Sequence, residues 1–329
     1  MRIAVDAMGG DHAPLATVLG AVMAAKEYKV GVILVGKKDV IEAELRRFKS
    51  LPSGISVEDA SEIIEMTESA ASSIRRKRDS SIVRAIELIK ENRADAMVSA
   101  GNTGAVVCAA SLTLGMLPGI ERPGIAIITP SLAGTALLVD VGANINPKPI
   151  HLQQYAIMAT AYFRHVLNIE NPRVGLLNIG EEATKGPGFL QETYSLLENA
   201  KINFIGNVEG KDIFSGKCDC VVSDGFVGNI ALKITEGLTE VVGEFFKRQI
   251  FSNIWGKLGA LLMIRGFRRF KKQLDYSEYG GALLLGINGI VIIGHGRSSA
   301  KAIKNAIRVA KEESERKVNE KIIEEIKTQ

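Results

Sequence analysis

Short apolar runs alternate with longer amphipathic segments along almost the whole chain. The apolar runs are rich in Val, Ile and Leu, which is typical of buried strands. They lie at Arg2–Val5, Gly31–Val35, Ile55–Asp59, Ala96–Ser99, Ile125–Thr129, Ala136–Asp140, Arg173–Asn178, Asn203–Gly206, Cys220–Ser223 and Val291–Gly294. Helical stretches between them include Pro14–Lys26, Ser80–Glu91, His151–Val166, Gln191–Asn199, Ile230–Arg248 and Ser299–Lys327.

This alternation predicts an α/β protein with a largely parallel sheet covered by helices. No Pro- or Ser-rich linker interrupts the pattern, so we expect one catalytic domain over residues 1–329. In such folds ligands bind beyond the carboxyl ends of the strands. The segments that follow the predicted strands are therefore the first place to look for chemistry.

Six of these segments combine Gly with Asn, Asp or Ser. Glycine permits a positive φ and a close backbone approach, and the helix that follows presents unpaired N–H groups to an anion. We expect the six to converge on one edge of the sheet and form a cleft for an anion or a carbonyl. They are VDAMGGDHAP (5–14), VSAGNTGA (98–105), LVDVGANINPKP (138–149), LLNIGEEATKGPG (176–188), FIGNVEG (204–210) and VVSDGFVGN (221–229).

Two of these segments resemble one another. ADAMVSAGNTG (94–104) and CDCVVSDGFVG (218–228) align without a gap and share Asp, Val, Ser and both glycines. The match indicates either a duplicated strand–turn–helix unit, with two half-sites facing one ligand, or chance similarity between two buried strands. Cys218 and Cys220 align with Ala94 and Ala96, so they are interpreted as small core residues rather than metal ligands.

Composition excludes several classes of function. The net charge of +4 and the aromatic content of 5% do not fit a nucleic-acid-binding protein. Three cysteines without a framework spacing indicate a reducing cytoplasm, and the apolar start MRIAV is too short for a signal peptide. The motifs of nucleotide hydrolysis, dinucleotide binding, zinc binding and serine nucleophiles are missing, so no cofactor or metal is implied.

One basic and apolar segment departs from the α/β pattern. Residues 247–274 hold eight Lys or Arg and no Asp or Glu. Apolar side chains between flanking cations are typical of a surface that lies in a lipid interface. There are two alternatives to a lipid surface. One is a helical hairpin over residues 236–278 that is buried in a homodimer, and the other is a basic patch that binds an acidic protein. The membrane-facing candidates are Trp255, Leu258, Leu261, Leu262, Met263, Ile264 and Phe267.

The motifs VDAMGGDHAP, SAGNTGA, DVGAN, GNVEG, SDGFVGN and YGGALLLG closely resemble those of the bacterial phosphate acyltransferase (PlsX) family. The resemblance covers essentially the whole chain. It implies a three-layer α/β/α sandwich with one large mixed sheet, similar to isocitrate and isopropylmalate dehydrogenases, plus a protruding helical hairpin. It also implies a homodimer at the inner face of the cell membrane.

Members of that family move a fatty acyl group from acyl carrier protein to inorganic phosphate. The acyl phosphate then goes to a membrane-bound glycerol-3-phosphate acyltransferase for phospholipid synthesis. A thioester loses its thiol, with a pKa of about 8.5, as a thiolate without much assistance. Phosphate is the nucleophile, so the protein has only to bind it, align it and stabilise the oxyanion.

The resemblance implies roles for individual residues. Lys185 would hold the phosphate or the oxyanion, and Asn229 would donate its amide to the oxyanion or orient the phosphate. Asp6 and Asp11, in the first Gly-rich segment, would brace neighbouring loops or His12 and bind the pantetheine arm. The full set of substrate-binding candidates is Asp6, Gly9, Gly10, Asp11, His12, Gly101, Asn102, Thr103, Gly104, Asn144, Asp224 and Gly225.

Two other functions remain open at this point. One is a short-chain phosphate acyltransferase that acts on acyl-coenzyme A with a related fold. The other is a membrane-associated scaffold that keeps the fold without catalysis.

The membrane interpretation predicts that replacing Leu261 and Leu262 by Asp weakens binding to lipid vesicles, because a carboxylate does not enter the interface. Co-sedimentation with vesicles measures it, and unchanged binding would exclude this interpretation.

Overall fold

The structure is a computed structural model that describes residues 1–250, 255–256, 259, 263–266 and 276–329. Eleven strands in the described part of the chain form one sheet. They are β1 Arg2–Asp6, β2 Gly31–Gly36, β3 Ile55–Asp59, β4 Ala96–Ser99, β5 Gly124–Ser131, β6 Gly134–Val139, β7 Arg173–Leu177, β8 Asn203–Val208, β9 Cys220–Val222, β10 Ala282–Leu285 and β11 Val291–Ile293.

Helices occupy most of the connections between the strands. Those described are α1 Leu15–Tyr28, α2 Lys38–Leu45, α3 Ala70–Arg76, α4 Ser81–Lys90, α5 Thr103–Thr113, α6 Pro149–His165, α7 Gly188–Glu198, α8 Asp212–Ser215, α9 Gly225–Ile250, α10 Ala300–Glu315 and α11 Val318–Lys327. The single helix predicted over Ser299–Lys327 is two helices, because Lys317 between α10 and α11 adopts a left-handed conformation with φ of 54°. None of the described helices is long and apolar enough to cross a membrane.

The sheet is mixed, which confirms the expectation drawn from the family resemblance. Its strand order is β3-β2-β1-β4-β11-β10-β5-β6-β9-β7-β8. The pairs β11–β10, β10–β5 and β5–β6 are antiparallel, and every other pair is parallel. Three reversals in the middle mean that β1, β4 and β11 run opposite to β6, β9, β7 and β8. The sequence pattern alone predicted a largely parallel sheet and did not assign β10.

Helices cover both faces of the sheet and give three layers. Ile3 and Val5 of β1 pack into one core with α1, α2, α6, α7, α10 and α11. Ala4, between them in the strand, packs into a second core with α3, α4, α5, α8 and α9. Successive side chains of a strand point to opposite faces, so the continuous apolar runs of the sequence fill both cores.

The order of elements is the same when the sheet is followed inward from β2 or from β8. The strands β2, β1, β4, β11 and β10 correspond to β8, β7, β9, β6 and β5, with every direction reversed. The helices correspond as well, because α5 and α9 follow β4 and β9 on the same face. The aligned segments 94–104 and 218–228 thus hold equivalent places, as a duplication predicts. They end at opposite edges of the sheet, so the expectation of two half-sites facing one ligand is wrong.

Glu313 is an ionisable residue in the core. Its side chain on α10 is 5% exposed, and its Oε1 has no hydrogen-bond partner among the described residues. Loss of hydration raises the pKa of this carboxyl to about 8. The folded protein therefore holds a proton on Glu313 over a pH range in which the unfolded chain has released it.

We expect the stability of the protein to fall as the pH rises from about 4.5 to 8, because only the unfolded chain loses the Glu313 proton in that range. Glu313→Gln should remove this contribution and raise the free energy of unfolding at pH 8 by a few kcal/mol. Urea titrations at pH 5 and pH 8 measure both effects. Glu315→Gln, an exposed position on the same helix, is the control, and an equal pH slope in the Glu313 variant and the wild type would contradict the assignment.

Candidate functional site

The six Gly-rich segments do not meet at one edge of the sheet. Four of them follow β6, β9, β7 and β8, which are parallel neighbours, so their loops gather at one edge. We call this the Lys185 edge; it comprises residues 140–144, 178–188, 208–210 and 223–229. The other two follow β1 and β4 at the opposite edge, together with the loop after β11. We call this the Gly9 edge; it comprises residues 6–14, 99–104 and 294–299. The prediction of a single converging rim is wrong.

A buried carboxylate organises the Lys185 edge. Asp140 is fully buried, and its Oδ1 accepts the backbone N–H groups of Ile125, Gly142 and Ala143 at 2.9–3.0 Å. Its Oδ2 accepts the N–H of Asn144 at 2.7 Å. Burial raises the pKa of Asp140, and the four N–H groups oppose that rise. Asp140 begins the DVGAN motif but is not among the residues predicted for the site. An Asp that directly precedes a Gly-containing turn was the available signal.

The first turn of α9 rests directly on the Asp140 loop. An added Cβ would lie 1.9 Å from the Asp140 carbonyl oxygen at Gly228, and 2.6 Å from the Asn144 carbonyl oxygen at Gly225. The two glycines are three residues apart and so share one face of the helix. Asp224 caps the same turn, since its Oδ1 accepts the N–H groups of residues 226 and 227. Asp224 and Gly225 therefore position the helix.

This packing places Asn229 at the edge. Asn229 is exposed, and among the described residues its side chain has no hydrogen bond. The loop after β6 is next to it, because a Cβ added at Gly142 would lie 3.8 Å from the Asn229 Cγ. Asn229 therefore lies directly after the first turn of α9, close to the helix N-terminus, which favours negative charge.

Lys185 lies on the loop that follows β7 at the same edge. Its side chain is half exposed, and its Nζ is 3.8 Å from Glu182 Oε1. An exposed ion pair at that distance contributes little to the stability of the fold, and it leaves the ammonium available to a ligand. Of the predicted catalytic pair, Lys185 thus lies on the loop after β7 and Asn229 lies near the start of helix α9, which follows β9. Strands β7 and β9 are hydrogen-bonded neighbours.

Asn144, also a substrate-binding candidate, points away from this edge. Its Nδ2 donates to the Pro123 carbonyl oxygen at 2.6 Å and to the Tyr155 hydroxyl at 2.7 Å. Its side-chain amide therefore anchors the loop, and only its backbone groups face the first turn of α9, through the Gly225 N–H donated to the Asn144 carbonyl.

At the Gly9 edge a second buried carboxylate braces the loops. Asp6 is 1% exposed and accepts hydrogen bonds from Ser99 Oγ at 2.7 Å and from the Met8 N–H at 3.1 Å. Burial raises its pKa, and these hydrogen bonds oppose the rise. Gly9 and Gly101 pack against the carboxylate, with no room for a Cβ at Gly9. Asp6 thus supports the loops, as expected, and its burial places it away from a ligand.

Asn102 at the start of α5 has a different role from Asn229 at the equivalent start of α9. The Asn102 Oδ1 accepts the Ala105 N–H, and its Nδ2 donates to the carbonyls of residues 65, 66 and 68. The amide is therefore used within the protein. The other candidates at this edge, Gly10, Asp11, His12, Thr103 and Gly104, are exposed or half-buried.

The long helix α9 connects the two edges. It begins at the Lys185 edge, and further along it Glu240 accepts a hydrogen bond of 2.7 Å from Arg297 of the Gly9 edge. Glu236 lies 3.8 Å from His295 Nε2. Burial lowers the pKa of His295. Both edges therefore contact one helix on one face of the sheet.

The cysteines do not contribute a nucleophile to either edge. Cys218 and Cys220 are buried, and burial raises the pKa of Cys218 to about 11. A thiol that stays protonated is unreactive. Cys108 is half-buried in α5. These positions agree with the interpretation of the cysteines as core residues.

The described part of the membrane-facing segment is exposed. Trp255 is 78% exposed, and Met263 and Ile264 are also exposed. The other candidates, Leu258, Leu261, Leu262 and Phe267, lie outside the described residues, as does much of the predicted hairpin over 236–278. The last part of α9 within that range carries exposed apolar side chains at Leu238, Val241 and Phe245.

Comparison with known proteins gives consistent results. A family model described as fatty acid synthesis protein matches residues 1–321. The chain is 50% identical to the phosphate acyltransferase of Geotalea uraniireducens, over 99% of this chain and 94% of that one. It is 48% identical to the phosphate acyltransferase of Geobacter sulfurreducens, over 100% and 95%.

Solved structures share the fold at low sequence identity. A phosphotransacetylase from Streptococcus pyogenes superposes with a TM-score of 0.65 at 19% identity, over 94% of this chain and 93% of that one. A protein described as a 4-hydroxythreonine-4-phosphate dehydrogenase from Salmonella typhimurium gives a TM-score of 0.54 at 13% identity, over 94% and 98%. These likenesses confirm the predicted fold class.

The contact between α9 and the Asp140 loop predicts a sharp difference between two glycines of the same helix. Gly228→Ala should lower the free energy of unfolding by several kcal/mol, because its Cβ cannot fit beside the Asp140 carbonyl. Gly237→Ala, where nothing lies within 4 Å, should be neutral or raise it by up to about 1 kcal/mol. Chemical denaturation of both variants measures this, and equal stabilities would contradict the contact.

Proposed function

This chain belongs to the phosphate acyltransferase family, and from that premise we propose that it moves a long-chain fatty acyl group from acyl carrier protein to inorganic phosphate. One observation carries the proposal at the level of the site: Lys185 and Asn229 lie at the same sheet edge, and no buried side chain in the described part of the molecule engages this cation or this amide. The edge offers charge and hydrogen-bond donors for an oxyanion, which is what a reaction with phosphate as the nucleophile requires.

The reaction needs two bond changes at the thioester carbonyl. A phosphate oxygen attacks the carbonyl carbon and forms the new C–O bond, while the carbonyl oxygen takes the negative charge. The tetrahedral intermediate then collapses, the C–S bond breaks, and the thiol leaves as a thiolate that takes a proton from water. Lys185 binds the phosphate or the developing oxyanion by charge, and Asn229 donates its amide to the oxyanion or orients the phosphate.

The nearby carboxylates do not oppose a bound anion directly. Asp140 is fully buried and surrounded by backbone N–H groups, and Asp224 is 8% exposed and accepts the N–H groups of the first turn of α9. Their charges are thus compensated within the loops. Glu182, beside Lys185, is 65% exposed and can turn into solvent when phosphate binds.

We further propose that a second copy of this chain covers an apolar stripe on α9. The stripe follows helical spacing along one face of the helix, and each member is 44–64% exposed. A homodimer through this stripe would bring residues 247–274 of the two copies close together for contact with a membrane. The stripe consists of Phe226, Ile230, Ile234, Leu238, Val241 and Phe245.

The proposed cellular setting follows from the same chemistry. The protein would act in the cytoplasm at the inner face of the cell membrane, because its acyl phosphate product is apolar at one end and is used by a membrane-bound glycerol-3-phosphate acyltransferase in phospholipid synthesis. Basic residues around Trp255 would contact lipid headgroups or the acidic acyl carrier protein. A salt series on each binding reaction separates the two contributions.

A direct assay tests the donor. The protein is incubated with palmitoyl acyl carrier protein and phosphate, and acyl phosphate is trapped with hydroxylamine; the same reaction is run with acetyl-coenzyme A. Product from palmitoyl acyl carrier protein is expected. Product only from acetyl-coenzyme A would favour a short-chain enzyme, and product from neither would favour a scaffold without catalysis.

Within that assay, Lys185→Ala and Asn229→Ala should each lower turnover at least about tenfold, as expected for loss of one oxyanion or phosphate contact. Their circular dichroism and melting temperatures should match the wild type, because both side chains are exposed. Lys90→Ala and Asn171→Ala, exposed positions away from the Lys185 edge, are the controls. Near-normal rates in the two site variants would refute the assignment.

A further inference from the structure

The loop that carries Lys185 is held by side-chain amides from outside it. Four of its backbone carbonyls accept hydrogen bonds from three amide side chains, at 2.8–3.1 Å. We call these three residues the amide clamp. Asn207 Nδ2 donates to the Glu182 carbonyl, Gln191 Nε2 to those of Thr184 and Gly186, and Asn178 Nδ2 to that of Lys185 itself.

The amide clamp is built on regular elements of the fold. Asn207 lies in β8, Asn178 directly follows β7, and Gln191 lies in the first turn of α7. The three elements are neighbours, because β7 pairs with β8 and α7 connects them. Each donor therefore lies in a strand or a helix or directly after one, whereas the loop between residues 178 and 188 has no regular structure of its own.

Asn207 is the most constrained member of the clamp. It is 3% exposed, and the only hydrogen bond that its side chain makes among the described residues is the one to the Glu182 carbonyl, 25 residues away in the chain. Its Oδ1 has no partner there. An amide that is buried with half of its hydrogen-bonding capacity unused is costly to the fold. Such a residue is expected where its remaining hydrogen bond serves the site rather than stability.

Asn178 fills the inside of the loop. Gly186 has a φ of +83°, and a Cβ there would lie 2.5 Å from Asn178 Oδ1, so the side chain and the glycine fit against each other. The same Oδ1 accepts the Ile179 N–H at 2.8 Å. The amide is thus bonded to both ends of the turn that leads to Lys185.

The chemical type of the clamp matters for the charge of Lys185. A neutral amide donates to a carbonyl without adding charge, whereas a carboxylate in its place could not donate and would attract the ammonium. Three amides therefore fix the loop and leave the positive charge of Lys185 for a ligand.

From this geometry we propose that Asn178, Gln191 and Asn207 are positioning residues that hold the Lys185 loop so that the ammonium stays at the sheet edge for the substrate phosphate. The proposal rests on the function proposed for Lys185. The clamp supplies preorganisation, because a loop without it would have to be ordered at each turnover.

The decisive variant is Asn207→Leu, which keeps the approximate shape of the side chain and removes the donor. Asn203→Leu is the matched control, since Asn203 lies on the same strand, and its Nδ2 donates only to the Asn171 carbonyl among the described residues. We expect Asn207→Leu to lower kcat/KM for phosphate about tenfold or more, with a melting temperature close to that of the wild type. Asn203→Leu should leave the rate unchanged.

A double-substitution cycle separates positioning from a general structural effect. In the Lys185→Ala background, Asn207→Leu should change the remaining rate by less than about twofold, because the group that it positions is already gone. A loss as large as in the wild-type background would overturn the proposal.

Hydrogen exchange tests the clamp independently of turnover. In the Asn207→Leu protein, the backbone N–H groups within residues 180–187, where Pro187 has none, should exchange at least about tenfold faster than in the wild type. Those of residues 223–229 should keep their rates. If the wild type transfers no acyl group to phosphate, the proposed function fails, but the hydrogen-exchange rates still show whether Asn207 holds the loop. Unchanged exchange at 180–187 would overturn it.

Discussion

The carboxylate of Asp140 is the interaction on which the candidate site depends. It is fully buried, a costly state for an acid, and four backbone N–H groups compensate it. Those donors come from the start of β5 and from the turn after β6, so one side chain joins two strands and shapes a loop. The first turn of α9 then packs on that loop through Gly225 and Gly228. The position of Asn229 follows from this chain of contacts.

The two edges of the sheet are built alike but differ in chemistry. Each has a buried Asp, a Gly-rich turn and a helix that begins with an Asn in or next to its first turn. At the Gly9 edge the amide of Asn102 is used by the protein itself, in four hydrogen bonds. At the Lys185 edge Asn229 is exposed and Lys185 has only an exposed Glu182 nearby. Among the described residues, an available cation and amide thus lie together at the Lys185 edge.

Catalysis by such a site would depend on position more than on reactive side chains. The buried cysteines have raised pKa values and lie in the core. In the proposed reaction, Lys185 and Asn229 would act on charge that develops on the substrate, and the benefit of such groups depends on their being held in place beforehand. Asp140 holds one of them through α9, and the amide clamp holds the other through its loop. Two separate sets of hydrogen bonds between neutral or compensated groups thus fix the two sides of the site.

The sequence by itself determined the strands, the family and the identity of the Gly-rich turns. Apolar runs predicted ten of the eleven strands to within a few residues, because burial on both faces leaves a clear local pattern. The motifs predicted the family and the mixed sheet. They also selected Lys185 and Asn229 as a pair, through the family resemblance.

Only the tertiary structure decided which turns share an edge and which side chains remain available. Strand direction depends on pairing with strands distant in the chain, and the antiparallel strands β5 and β10 in the middle of the sheet reverse one half against the other. An apolar run reads the same in either direction, so its pattern carries no such information. Whether an Asn caps a helix, holds a neighbouring loop or faces solvent depends likewise on partners tens of residues away. Asn102, Asn207 and Asn229 have the same side chain and acquire three different roles from what the fold places beside them.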